Sequence, residues 1–371
     1  MATLTYPQLK AMVASLVTAS NISNGTFSAT ANNVAGLLDK IGRIFDIDTN
    51  FRIDKLARFD SSYLSYGKTL EEWQADLPEV TAFDPTGANA LSPAYTTFRP
   101  PFYSYTIGRY KIKQSIPYGN LERAVHNAGE YVDLIARLYS RIEDTKAQYE
   151  YALKREELGE LAGLCNTAMG STSVYATSTA YNVGTVLKES ALSDVRGIVF
   201  LPIAATNTDS WATLVAAGTI VPLNLSEQLA VPVDTSTGEA FIERVKALGE
   251  IAQDFSQGNS LNGNCLGVTT DLVLVVKQGV RPVLDVQTLA GAFNQERLAM
   301  GVDVIAVPDF GSATSSDVWA ILLDARGMSL HRTYDATREN PNGDGDFLNI
   351  YRHFEHTPHI SRNTFVHVFH S

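Results

Sequence analysis

The chain has little cysteine: Cys165 and Cys265 are its two, without a CxxC partner for either. At most one bridge is possible, so no disulfide framework holds this fold, and the pair reads as ordinary thiols of a reducing compartment. Positive charge is also scarce. Lys and Arg number 29 against 40 Asp and Glu, a net charge of −11 over 371 residues. A protein built to grip nucleic acid through phosphates should be basic, at least locally. No apolar run approaches the roughly 18 residues of a membrane span; Gly197–Ala205 is among the longest. The opening MATLTYPQLKAMVASLV lacks both a basic start and an unbroken apolar core, so no secretory signal is expected. Sequons such as Asn21-Ile22-Ser23 then have no route to glycosylation. The expectation is a soluble, intracellularly made protein with no membrane partner.

Glycine is missing where a nucleotide site would need it. In YGKTLEEWQADLP (Tyr66–Pro78), Gly67-Lys68-Thr69 looks like the end of a phosphate-binding loop. Such a loop requires a further Gly five residues earlier, where Ser62 stands, and Asp60–Tyr66 contains none. In NPNGDGDFLN (Asn340–Asn349) a calcium loop would need Gly at Phe347 and a bidentate Glu at His353. A dinucleotide loop there would need its third Gly at Leu348. The stretch reads instead as a β-turn between strands. GMSLH (Gly327–His331) misses the nucleophile-elbow pattern, having His for its last Gly and no helical pattern after it. His353, His356 and His359 invite a metal, but Pro358 breaks a helix, and on a strand His353 and His356 face opposite ways. No catalytic, cofactor or metal site is expected.

What is present is an unusual layout. Residues 1–50 hold two short amphipathic helical patterns joined by a small-residue polar linker, an arm unable to form a core alone. Residues 51–117 are punctuated by Pro78, Pro85, Pro93, Pro100 and Pro101 and read as a long extended loop. Its last part alternates, placing Arg109, Lys111 and Lys113 on one strand face. That face fits a solvated edge, a nucleic-acid contact or an acidic neighbour. From Gly119 to Gly163 no proline occurs, apolar residues keep a helical period, and pairs such as Glu143–Lys146 and Glu150–Lys154 fill the other faces. The pattern predicts one very long, solvated amphipathic helix, or two in line. Then follow a helix at Gly238–Phe255, a strand at Asp271–Gly279, a helix at Asp285–Asn294, a strand at Val302–Phe310 and alternating C-terminal strands. Arm and loop cannot bury themselves within one subunit, which points to assembly.

This order resembles the major capsid proteins of tailed phages, the HK97-type fold, and more closely those of phi29-like short-tailed phages. Four stretches carry the resemblance: YGKTLEEWQADLPE, the helical stretch from Tyr118 to Gly163, LDVQTLAGAFNQERLAMGVDVIAVPDF, and the closing strands from Leu322 to Phe369. The resemblance implies an α+β subunit with an N-terminal arm (1–50), an extended loop with flanking strands (51–117) and a spine helix with peripheral domain (118–185). An axial domain (186–325) and C-terminal strands returning to the peripheral domain (326–371) complete it. It also implies self-assembly, as hexamers and pentamers, into an icosahedral or prolate head enclosing double-stranded DNA. Scaffolding and portal proteins are the implied partners, with packaged DNA contacted weakly and without sequence specificity. The subunit would be made in the host cytoplasm and end in the virion. Gly67, Lys68, Glu71, Glu72 and Trp73 would sit in the loop that lies over a neighbouring subunit. The alternative within the same fold is an encapsulin-like compartment shell, which packages an enzyme instead of DNA.

Overall fold

A computed structural model describes residues 54–61, 108–117, 128–170, 220–254, 257–265, 267–284, 302–311 and 317–371, with short pieces between 69 and 106 and between 174 and 216. The arm at 1–50 and the helix expected at Asp285–Asn294 lie outside the described residues. In chain order the positioning elements are β1 (Gly108–Pro117), α1 (Ala128–Met169), β2 (Ser226–Gln228), α2 (Thr235–Ala252) and β3 (Leu272–Lys277). They continue with β4 (Asp303–Val307), β5 (Val318–Asp324), β6 (Met328–Asn342), β7 (Phe347–Ile360) and β8 (Val366–His370).

The long helix is one piece of 42 residues, about 63 Å at 1.5 Å per residue. It ends later than the apolar period predicts, and the start of that period, before Ala128, lies outside the described residues. It stops where the Gly170 amide bonds the Asn166 carbonyl at 2.8 Å.

One line along α1, at four-residue spacing, is buried from Ile142 through Lys146, Glu150, Lys154 and Leu158 to Ala162. The chemistry of that line changes midway, from charged to apolar. The expectation of solvated charges is therefore corrected: Lys146, Glu150 and Lys154 are all buried.

The apolar half of α1 packs on a five-stranded sheet ordered β4-β3-β5-β8-β2. β3 runs parallel to β4 and antiparallel to β5; β8 runs antiparallel to β5 and parallel to β2. Strand alternation sorts its side chains to two faces. Val273, Val275, Ile321, Leu323, Val366 and Val368 meet Leu158, Leu161 and Cys165 of α1, with Leu56 and Phe59. Leu272, Leu274, Val276, Leu322 and Phe369 meet Phe241, Ile242, Val245 and Leu248 of α2. Each such side chain contributes about 1.5–3 kcal/mol when fully buried, so the three layers form the main core. α2 starts at a capping box: the Thr237 amide donates to Asp234 Oδ1 at 2.9 Å, and the Asp234 amide donates to Thr237 Oγ1 at 3.1 Å.

The charged half of α1 lies under a three-stranded antiparallel ribbon ordered β6-β7-β1. β6 and β7 form a long hairpin closed at Asn342↔Phe347. Its tip is the turn that NGDG predicts. The Asn342 side-chain oxygen accepts from the Asp344 and Gly345 amides at 3.1 Å each, and Asp346 takes φ 49°. The Arg109, Lys111 and Lys113 side chains share one exposed face of β1.

Upstream of β1 the chain runs out and back. Thr69–Leu70 pairs antiparallel with Tyr105–Thr106, and Gln74–Ala75 with Phe98–Arg99.

Candidate assembly interface

Two arrangements of polar side chains stand out: a line of ion pairs between α1 and the ribbon, and the anchor of the extended loop. The first begins at Lys154, whose ammonium lies 2.5 Å from Asp54 and also pairs with Asp60. Asp60 faces Arg332 at 3.3 Å, and Arg332 Nη2 donates to Glu150 Oε2 at 2.7 Å. Glu150 Oε1 sits 2.8 Å from His356 Nε2 and 3.6 Å from Lys146. Lys146 reaches Asp335 at 2.5 Å, Arg352 donates to Asp335 at 2.9 Å, and Arg352 lies 3.1 Å from Glu143. Signs alternate along the line, so each charge taken from water meets an opposite one. At the ribbon end Ile142 packs with Ile116 and Ile350, and Tyr149 with Tyr110 and Phe354.

The second arrangement centres on Glu72, the one predicted loop residue among the described residues; Gly67, Lys68, Glu71 and Trp73 lie outside them. Glu72 Oε1 accepts from Ser361 Oγ at 2.6 Å and Asn363 Nδ2 at 3.0 Å; Oε2 accepts from the Arg362 amide at 3.2 Å. Burial works to raise this carboxyl, but these bonds and His359 hold it below the usual range. The outgoing arm of the loop is thereby tied to the turn between β7 and β8.

The histidine-rich C-terminus distributes its rings rather than gathering them. His356 faces Glu150, His359 faces Glu72 at 3.4 Å, and His367 faces Glu227 at 3.5 Å, each carboxylate on a different segment. Among the described residues no group of three His, Cys, Asp or Glu is placed to hold a metal. Ser329 of GMSLH lies 3.3 Å from His359 and 2.9 Å from His331. It sits within a straight strand, without the strand-to-helix turn that presents a nucleophile beside oxyanion donors.

Glu150 and Glu227 set the acid limit. Burial opposes their ionisation, yet His356 with Arg332, and His367 with Arg244, hold each carboxyl at about 2. A depressed carboxyl contributes stability that is fully present above its ordinary value of about 4.5 and lost as pH falls toward about 2. The urea midpoint of unfolding is expected to stay level down to about pH 5 and then fall. Glu150→Gln should lower the neutral plateau and flatten that acid limb. An unchanged acid limb in this variant would remove Glu150 from the account.

A very long helix bridges a β-ribbon and an α/β body, and a loop runs out and back from the ribbon. The family described as Phi29-like phage major capsid protein matches residues 7–370, and the chain belongs to it. Solved structures agree in fold. The capsid of cyanophage P-SCSP1u superposes with a TM-score of 0.53 at 9% identity, over 94% of this chain and 93% of that one. The capsid of Staphylococcus phage Andhra gives 0.55 at 10% identity, over 88% and 86%. No curated protein sequence matches the chain. The protein is a phage major capsid protein that forms the head shell of the virion. No helix among the described residues is long and apolar enough to cross a membrane.

Proposed function

We propose that the subunit acts as a purely structural tile, closing as hexamers and pentamers around scaffolding protein and a portal. The resulting head encloses double-stranded DNA. The observation that supports this most is the out-and-back loop. Its two strand pairings, Thr69↔Thr106 and Gln74↔Arg99, leave a long tip between Ala75 and Phe98. A two-stranded ribbon is marginal alone in water, and Phe83 at that tip is 90% exposed. Cover from a neighbouring subunit resolves both. In this reading residues 1–50 are an arm, 51–117 the extended loop, 118–185 spine and peripheral domain, 186–325 axial domain and 326–371 closing strands. Gly67 lets the loop turn, and Lys68, Glu71, Glu72 and Trp73 stand at the contact with the neighbour. The charge of −11 keeps packaged DNA from adhering to the wall, leaving weak contacts without sequence preference.

The test is assembly, followed by light scattering and negative-stain microscopy of the full chain alone and with its scaffold. Wild type is expected to give closed shells or curved sheets. Trp73→Ala should leave a folded monomer that fails to assemble. Intact shells from that variant would remove the loop from the interface.

A further inference from the structure

Asn followed by Gly is a reactive pair. The Gly amide nitrogen is a nucleophile for the Asn side-chain carbon, and Gly has no side chain to obstruct the approach. The chain has three such pairs, Asn24-Gly25, Asn262-Gly263 and Asn342-Gly343. The first lies outside the described residues. The other two stand in opposite surroundings. Asn262 turns the chain between the paired strands Gln257–Ser260 and Gly263–Cys265. Gly263 is buried and stands opposite Ser260 in the register. The Asn262 side-chain nitrogen, which would have to leave, donates to Asn363 Oδ1 at 2.8 Å.

Asn342 ends β6 at the tip of the long hairpin. Gly343 after it is exposed, and a Cβ there would meet nothing within 4 Å, so its nitrogen is open. Asn342 Oδ1 accepts from the Asp344 and Gly345 amides at 3.1 Å each. Both partners are N–H donors, so the atom facing them is the oxygen, and the side-chain nitrogen is the other one. The amides are held in place from both sides. β6 and β7 close at Asn342↔Phe347, and a Cβ on Gly345 would run into the Phe347 ring.

We propose that Asn342 is a self-modification site, at which the hairpin turn converts the asparagine through a succinimide to aspartate and isoaspartate. The Gly343 nitrogen gives its proton to water or hydroxide and bonds to Asn342 Cγ. The carbonyl electron pair moves onto Oδ1, where the new negative charge lies between two N–H donors already in position, as in an oxyanion hole. The pair then returns, the Cγ–Nδ2 bond breaks, and ammonia leaves with the proton that Gly343 lost. Water opens the ring at the side-chain carbonyl to give aspartate, or at the main-chain carbonyl to give isoaspartate. Nothing is oxidised or reduced. Either product adds a negative charge beside Asp344 and Asp346, on a chain already at −11. Isoaspartate also routes the main chain through Cβ, which lengthens the turn and strains the Asn342↔Phe347 closure. Subunits in a finished head are not replaced, so the change accumulates with the age of the shell, at one position in every copy.

The experiment ages the full chain in mildly alkaline buffer and follows the Asn342 and Asn262 peptides by mass spectrometry. Enzymatic methylation of isoaspartate is the second readout, and the chain unfolded in urea is the reference. In the folded protein Asn342 is expected to convert on the order of tenfold faster than Asn262, well within what one aligned N–H donor contributes to an oxyanion hole. It should also convert at least as fast folded as unfolded, while unfolding brings the two positions together. Gly343→Ala has room for its methyl group. It should keep the wild-type urea midpoint and slow conversion at Asn342 on the order of tenfold, because the added Cβ crowds the attacking nitrogen. Equal rates at Asn342 and Asn262 in the folded protein overturn the proposal. Slower conversion of Asn342 folded than unfolded does so too, since the turn would then protect the residue. Conversion without isoaspartate, or at an unchanged rate in Gly343→Ala, would mean direct hydrolysis by water and remove the succinimide step.

Discussion

Lys154→Ala is expected to destabilise the subunit by about 3–5 kcal/mol, the range for leaving a buried charge without its partner. The Lys154 side chain is 1% exposed and faces two carboxylates, Asp54 and Asp60, while also reaching the Leu56 carbonyl at 3.4 Å. Asp60 keeps Arg332, but Asp54 loses its cation. The apolar Leu56 and Phe59 lie in the same stretch and enter the main core, so the base of the extended loop loosens with the ion pair. Thermal unfolding should shift down by roughly 4–6 °C, because an unfolding entropy of about 2.1 cal/mol/K per residue over 371 residues gives about 1.3 °C per kcal/mol. Adding Asp54→Asn should recover part of the loss, because the deficit is mainly an uncompensated charge. A shift of a degree or two for Lys154→Ala would show that water reaches the site and the line is not dry.

A line of buried ion pairs is weak evidence for stability, since apolar side chains of the same volume often do as well. Its value here lies in position. An apolar seam tolerates sliding of a smooth helix under a ribbon. Alternating charges from Lys154 to Glu143 pair correctly in one register, and a slip by a helical turn would set Glu150 against Asp335 or Lys154 against Arg332. A closed shell needs every copy to present its loop and edges at matching angles. The apolar half of α1 fixes the helix to the five-stranded sheet, and the charged half fixes the ribbon to the helix.

Much of this was legible from residues alone. The proline-free run fixed the existence of α1, the NGDG stretch fixed the hairpin turn, and β3 to β5 announced themselves by continuous apolar character. Even the start of α2 was written in Asp234-Thr-Ser-Thr237, a capping signal that the apolar period from Gly238 overshadowed. The ion-pair line was half visible. Ile142, Lys146, Glu150, Lys154 and Leu158 share one helical stripe, but charged residues on a stripe read as solvent-facing unless their partners are known. Those partners are remote: Asp54 lies 100 positions from Lys154, and Arg332 lies 182 from Glu150. The tie from Glu72 to Asn363 spans 291 positions. Local patterns carry no information about such distances; only the closed topology of β6, β7 and β8 brings them together.

Gly311→Ala is expected to cost about 3 kcal/mol, through two separable effects. Gly311 has φ +76°, where an L side chain costs roughly 1–2 kcal/mol. A Cβ there would also stand 2.8 Å from both Cα and Cγ of Glu156. Cγ belongs to a side chain that can move, but Cα belongs to the middle of α1, whose flanking turns are packed. Yielding would mean shifting the 309–311 turn, where Asp309 accepts from the Gly311 amide and from Arg155 at 2.9 Å each. That turn follows β4 and the buried Phe310, so the edge of the five-stranded sheet would lift from the helix. Gly279 supplies the control. It also has positive φ, at +99°, but a Cβ there would meet nothing within 4 Å. Gly279→Ala should therefore show the backbone cost alone, about 1–2 kcal/mol. The excess for Gly311→Ala in paired thermal unfolding curves then measures the close approach of the turn to α1. Equal losses at the two positions would mean that the turn has room to give, and that the sheet edge is not clamped to the helix at Glu156.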